Sequence, residues 1–214
     1  MSDQKTDLVL YRAPATRSLS ALWLLEELGV PYRMETVRMQ SPAYLAVNPR
    51  GWVPMIVDGE TRVTETPAIC LYLADRYGAG TLAPTLEEAS RGPYMSWTVW
   101  ATAVLEPASA LDGHDIPPKG PGAWHLGFGK LERELEVLRE ALAAGGDAWL
   151  LGERFTAADV MVGTVVSLRL FTAELPRHDW LVAYADRCQA RAAFKRAGDI
   201  NWPPADFAHV KPSP

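Results

Sequence analysis

Cysteine is almost missing from this 214-residue chain: Cys70 and Cys188 stand far apart and not in a CxxC spacing. That count excludes a disulfide framework and a Cys-rich zinc site, and makes a reducing cytoplasm the expected compartment. Histidine is also scarce, and His114, His125, His178 and His209 have no metal-ligand spacing, so no metal is expected. A basic block is absent. With 21 Lys and Arg against 26 Asp and Glu, the formal net charge is −5, which excludes a nucleic-acid footprint. No apolar run approaches the roughly 20 residues that span a bilayer, and the opening "MSDQKTD" has no signal-peptide hydrophobic region. Internal repeats and low-complexity tracts are missing too.

What is present is the composition of a soluble globular protein, 48% hydrophobic and 22% charged, with ample material for a buried core. "DLVLYRAP" reads as a short buried strand closed by Pro14. "TRSLSALWLLEELG" reads as a helix with Leu19, Leu22, Trp23 and Leu28 on one face and Gly29 as its stop. "YRMETV" alternates as a strand, and "SPAYLAVN" is a short helix with Ser41 at the N-cap and Pro42 at its first position. "PMIVDGETRV" predicts a hairpin turning at Asp58-Gly59, and "ETPAICLYLADRYG" a third helix ending near Gly78. Residues 1–78 therefore read β-α-β-α-β-β-α.

After a Gly/Pro/Thr-rich linker over 79–88 the strand signal largely vanishes. "RGPYMSWTVWATAVLEPASAL" predicts a long helix bent or ended by Pro107, followed by a long breaker-rich loop that contains Trp124. "KLERELEVLREALAAGG" sets Leu131, Leu135, Leu138 and Leu142 on one stripe. "TAADVMVGTVVSLRLF", apolar nearly all round, predicts a buried central helix, and two shorter helices follow around 177–189 and 191–198. The fold class is α+β, with an all-helical domain over 89–214.

Three stretches carry chemistry. At Val53-Pro54 a proline without an N–H starts a strand. If that bond is cis, the peptide groups of residue 53 turn outward to pair with an extended peptide; the plainer alternative is a hairpin entrance. Glu65-Thr66 opens a helix whose N-terminal N–H groups suit a carboxylate, while Glu65 suits an ammonium, so the pair fits an α-amino-acid head group. "APATRS", residues 13–18, ends the first strand and opens the first helix, where hydroxyls and backbone N–H groups favour a bound thiolate. Simple helix capping by Thr16, Ser18, Thr64 or Thr66 competes with these readings.

Together with "GERFTAADVMVG", these segments resemble the cytosolic glutathione transferases of bacterial type along nearly the whole chain. The resemblance implies a thioredoxin-like first domain, a helical second domain, glutathione as co-substrate, a small apolar electrophile or peroxide as second substrate, and a homodimer. By position Pro54 matches the family's cis-proline, Val53 the residue whose backbone holds the cysteinyl part, and Glu65 and Thr66 the pair that holds the γ-glutamyl end. Thr156 and Asp159 match a capping box, a structural role.

Two positions depart from the pattern. Ala15 stands where many members carry serine, which leaves Thr16, Ser18 and then Tyr11 as hydroxyls for the thiol, with Arg17 between the first two. Trp52 stands where relatives often have lysine or glutamine, so Gln40 or a nearby arginine is expected to hold the glycine carboxylate. Trp97 and Trp100, three apart in the first helix of the second domain, either pack in its core or line the apolar substrate pocket. A glutathione-dependent disulfide reductase, and a non-catalytic binding protein on the same fold, are the alternative functions.

Overall fold

The computed structural model describes residues 7–114 and 127–202. Trp124 and most of the expected long loop lie outside the described residues. Two compact units form: Met1–Gly78 together with Ala192–Pro214, and Ala79–Arg191.

The first unit is built on a four-stranded sheet of order β2-β1-β3-β4. The continuous apolar run Leu8-Val9-Leu10 puts β1 (Leu8–Arg12) inside the sheet. Parallel β2 (Arg33–Thr36) lies on one side of it and antiparallel β3 (Met55–Asp58) on the other, and β3 pairs with β4 (Thr61–Thr64). In the register Tyr11 lies opposite Met55, and Met55 opposite Thr64. The hairpin turns one residue later than its sequence suggests. Asp58 still pairs with Thr61, so Gly59-Glu60 form the loop, with Gly59 supplying the positive φ of 61°. Asp58 instead accepts hydrogen bonds from the hydroxyls of Tyr72 (2.9 Å) and Tyr77 (2.7 Å) and pairs with Arg76 (2.8 Å). These contacts bind the hairpin to α3 (Thr66–Tyr77). The short α2 (Pro42–Leu45) is capped by the Ser41 side chain as expected.

Helix α1 (Ser18–Leu28) departs from the one-sided pattern: every residue from Ser18 to Leu25 is buried, while Leu28 is only partly so. The reason is α9 (Ala192–Asn201), which packs on α1 as α3 does. Phe194 meets Trp23 edge to face at 4.8 Å, and Arg196 pairs with Glu26 at 2.6 Å. Helix α9 thus groups with the first unit, although the sequence predicts one helical domain from 89 onward.

The second unit starts at Ala79, so the stretch read as a linker is part of it. Arg154 holds that stretch by donating to the Thr81 and Ala83 carbonyls (2.9 and 3.0 Å) and pairing with Glu88 (2.7 Å). Pro107 does not end its helix. Between α4 (Arg91–Trp100) and α5 (Glu106–Gly113) the chain widens into a π turn over Ala101–Leu105, in which the Glu106 N–H reaches the Ala101 carbonyl. A wide turn suits a site where the proline ahead has no N–H for the usual partner carbonyl. Helix α6 (Leu131–Ala144) buries its four-leucine stripe, α7 (Ala157–Phe171) is buried along most of its length, and α8 (Asp179–Ala190) packs against α7.

The Thr156–Asp159 capping box is present, and Asp159 does more than cap. Wholly buried, it accepts from the amides of Leu150 (2.9 Å) and Thr156 (3.0 Å) and from the hydroxyls of Thr156 (3.3 Å) and Tyr184 (3.2 Å). Among the described residues no helix is long and apolar enough to cross a membrane, and no cluster of three His, Cys, Asp or Glu could hold a metal ion.

Candidate functional site

The strand register brings the three predicted stretches to one end of the sheet. Tyr11, Met55 and Thr64 form one row across β1, β3 and β4. From that row Ala13–Thr16 leads out of β1, Val53-Pro54 leads into β3, and Glu65-Thr66 leads out of β4. Helices α1 and α3 both begin here, so the positive dipole ends of two helices open at the same edge. Backbone strain gathers here as well. Of five described non-glycine residues with positive φ, Gln40 (60°) and Glu65 (67°) are predicted site residues and Ala15 (54°) lies in the 13–18 stretch.

The Val53-Pro54 bond is cis. Its neighbour Trp52 is anchored through its carbonyl, which accepts from the Tyr44 hydroxyl (2.9 Å) and the Asn48 side-chain amide (2.8 Å), both buried residues. Across the trans Trp52–Val53 peptide the N–H points opposite the C=O, so the Val53 N–H is turned away from Tyr44 and Asn48. Among the described residues neither backbone group of Val53 has a partner. Asn48 and Tyr44 carry this orientation and were missed from the sequence; a buried asparagine just before the Pro-Arg-Gly loop was their only signal. Trp52 itself is 59% exposed.

Glu65 has a positive-φ backbone at the N-cap of α3, and its carboxylate is paired with Arg50 at 2.8 Å. Both side chains are more than half exposed, so the pair contributes no more than about 1 kcal/mol and leaves acceptor capacity for a second cation. Thr66 is buried beneath it. Gln40 is committed to the loop: its side-chain amide donates to the Arg50 carbonyl (3.1 Å) and its backbone N–H to the Gly51 carbonyl (3.2 Å). It lies so close over Gly51 that a Cβ there would come within 2.8 Å of its amide and displace it, and the φ of 68° at Gly51 favours glycine. Arg50 is the exposed arginine at this end, and Arg17 is exposed where α1 opens.

The loop after β1 decides which hydroxyl can meet a ligand. The Thr16 Oγ1 donates to the Ala13 carbonyl (2.8 Å), accepts from the Ser18 amide (3.2 Å) and lies 2.8 Å from the Ser18 hydroxyl. Ser18 is wholly buried, so as a direct contact to a thiol it is replaced by a role in bracing Thr16. Tyr11 is partly exposed, with its ring stacked on Tyr44 at 6.1 Å. The Ala15 amide donates to the Asn201 carbonyl (2.9 Å); the Thr16 amide has no acceptor among the described residues. Neither cysteine competes for chemistry: both are buried, and burial pushes each thiol pKa well up.

In the second unit Trp97 and Trp100 are partly exposed and meet edge to face at 4.9 Å, and the Trp100 N–H is bound to Glu134 at 2.9 Å. They are therefore neither fully in the core nor free.

A mixed four-stranded sheet with α1, α3 and the cis-proline at one end, followed by a helical unit, defines the glutathione transferase fold. Models of the glutathione S-transferase N-terminal and C-terminal domains match residues 17–76 and 121–190. Glutathione S-transferase GstA of Escherichia coli O157:H7 is 30% identical over 165 residues, covering 73% of this chain and 80% of its own. The disulfide-bond oxidoreductase YfcG of Escherichia coli K12 is 29% identical over 166 residues, covering 71% and 75%. A glutathione transferase crystal structure from Methylococcus capsulatus superposes with a TM-score of 0.73 at 28% identity, covering 91% of this chain and 98% of that one. The chain belongs to the glutathione S-transferase family.

Proposed function

We propose that the protein is a glutathione transferase. Glutathione lies along the open end of the sheet and its thiolate attacks a small apolar electrophile or peroxide. The observation that carries this reading is the convergence beside one strand row of the Ala13–Thr16 loop, the backbone of Val53, unpaired among the described residues, and the Glu65-Thr66 helix start. Val53 pairs with the cysteinyl part through its backbone, as an added strand does. Glu65 takes the γ-glutamyl ammonium, and the N-terminus of α3 takes the adjoining carboxylate. Arg50 supplies the cation that Trp52 lacks for the glycine carboxylate by leaving Glu65 when the ligand ammonium takes its place there, with Gln40 holding the Arg50–Gly51 backbone in place and Arg17 adding positive charge nearby. The partly exposed Trp97 and Trp100 offer aromatic surface to an apolar second substrate. Purified protein should bind glutathione, conjugate it to an aryl halide faster than it reduces a small disulfide, and sediment as a homodimer. Absence of glutathione binding would remove the reading, and a 23.5 kDa species at micromolar concentration would remove the dimer.

Disulfide reduction is the second reading. It draws support from the likeness to YfcG and from the burial of both cysteines, which leaves glutathione to supply every thiol. A reversed order of the two rates would favour it. A non-catalytic binding protein would bind glutathione and turn over neither substrate.

The thiol is activated chiefly by backbone at the start of α1, with Thr16 shaping the loop. Thr16→Ala should therefore cost about tenfold in rate, or roughly 1.4 kcal/mol, and Tyr11→Phe less. Were Tyr11→Phe alone to abolish the ultraviolet absorbance of the bound thiolate while Thr16→Ala kept it, the chain would use a tyrosine mechanism.

A further inference from the structure

Helix α9 ends against the loop just described. Arg12, the last residue of β1, is buried and donates to the Ile200 carbonyl at 2.7 Å. Asn201, wholly buried, holds the loop twice. Its backbone carbonyl accepts the Ala15 N–H at 2.9 Å, and its side-chain amide donates to the Thr16 carbonyl at 3.3 Å. Its Oδ1 has no partner among the described residues. A buried acceptor left unmet is costly, so an apolar residue would suit this position better if filling space were its task.

The two bonds fix the peptide planes Pro14–Ala15 and Thr16–Arg17. Between them lies the Ala15–Thr16 peptide, whose N–H belongs to Thr16. Other donors of the loop are spent: the Ala15 amide on Asn201, the Ser18 amide on the Thr16 hydroxyl. Ala15 also holds a φ of 54°, a left-handed conformation that strains an L-residue and relaxes if nothing restrains it.

We propose that Asn201 is a positioning residue for thiol activation: by bracketing the Ala15–Thr16 peptide it aims the Thr16 amide at the sulfur of bound glutathione. The proposal rests on the reading of the first unit as the glutathione site. Asn201 touches no substrate and acts through the loop. Hydrogen bonds weaken steeply as their angle falls below about 120°, so a small rotation of this one peptide is enough to lose thiolate stabilisation while the ligand stays bound.

The test uses the full chain with Asn201→Ala and Asn201→Ser, glutathione as ligand and the ultraviolet absorbance of its thiolate as signal. Glutathione affinity should stay within twofold, because Val53, Glu65 and Thr66 are untouched. The pKa of the bound thiol should rise by about half to one unit, and kcat below the wild-type thiol pKa should fall about three- to tenfold with KM unchanged, recovering at high pH. A lower melting temperature with an unaltered thiol titration would show a merely structural helix end and overturn the proposal. Failure of the wild-type protein to bind glutathione would instead sink the reading of the site, and the proposal with it. If neither variant folds, amide exchange on the wild-type protein decides. The Ala15 amide should be slow throughout, and the Thr16 amide fast until glutathione is added. A Thr16 amide that glutathione leaves unchanged would overturn the proposal.

Discussion

Asp159→Ala lowers the unfolding free energy by about 2–6 kcal/mol, the sum for two buried amides that lose their acceptor at about 1–3 kcal/mol each. The carboxylate is the common acceptor for two backbone amides and two hydroxyls. Alanine removes the cap of α7 and leaves the Leu150 and Thr156 amides buried without an acceptor, at about 1–3 kcal/mol each. Asp159→Asn falls between, since its amide oxygen can serve one of those amides while its NH2 opposes the other. Denaturant titration measures both, and an alanine variant within 1 kcal/mol of wild type would refute the account. Burial also pushes the Asp159 pKa up to about 6 from an ordinary 3.8, with the four donors pulling it back. The folded-state value is the raised one, so this group's contribution is fully present below about pH 4 and lost as the pH rises through about 6. The roughly two-unit difference corresponds to about 3 kcal/mol. In the alanine variant that slope between pH 4 and 6 disappears.

Glu65→Ala weakens glutathione binding by about 1.5–3 kcal/mol, the range for a charge-assisted hydrogen bond, or roughly ten- to a hundredfold in Kd. In the free protein Glu65 is held by Arg50 across an exposed pair that contributes little. The ligand ammonium is expected to engage the acceptor capacity that remains, in a setting made drier by the ligand itself. Glu65→Gln keeps the shape and removes the charge, so it should lose most of the same affinity. Calorimetric titration with glutathione reads both, and a Kd within twofold of wild type in the alanine variant would overturn the assignment. Folding is affected little, because the side chain is exposed and caps no amide of α3.

The order of elements was legible because strands and helices here carry their own periodicity and punctuation: Gly29 stops α1, Ser41-Pro42 opens α2, and the leucine stripe marks α6. Val53, Glu65 and Thr66 could be singled out because each joins an unusual residue pair to an element boundary. What stayed hidden depends on long-range packing. The burial of α1 on all sides follows from α9, whose residues carry no mark of the partner they cover. Ser18 and Thr16 look alike in sequence, yet the loop brings one hydroxyl inward and leaves the other at the bend. Tyr44 and Asn48 act on Trp52 through its backbone carbonyl, a contact that side-chain chemistry cannot announce. Arg154 likewise turns a Gly/Pro-rich stretch that reads as a linker into an anchored part of the second unit.

Because α9 closes over α1, the first unit cannot finish its core in the order in which the ribosome delivers it. Strands β1–β4 and helices α1–α3 emerge first, then the whole of Ala79–Arg191, and only afterwards the helix that brings Phe194 onto Trp23 and Asn201 onto the Ala15–Thr16 loop. Throughout synthesis of the second unit, one flank of the most apolar helix in the first unit waits uncovered, the kind of surface on which chaperones act and aggregates start. The same order ties completion to competence. A chain that stops short of residue 192 has every element of the sheet and both helix N-termini at its open end, but neither the cover on α1 nor the bonds that hold the loop beside them.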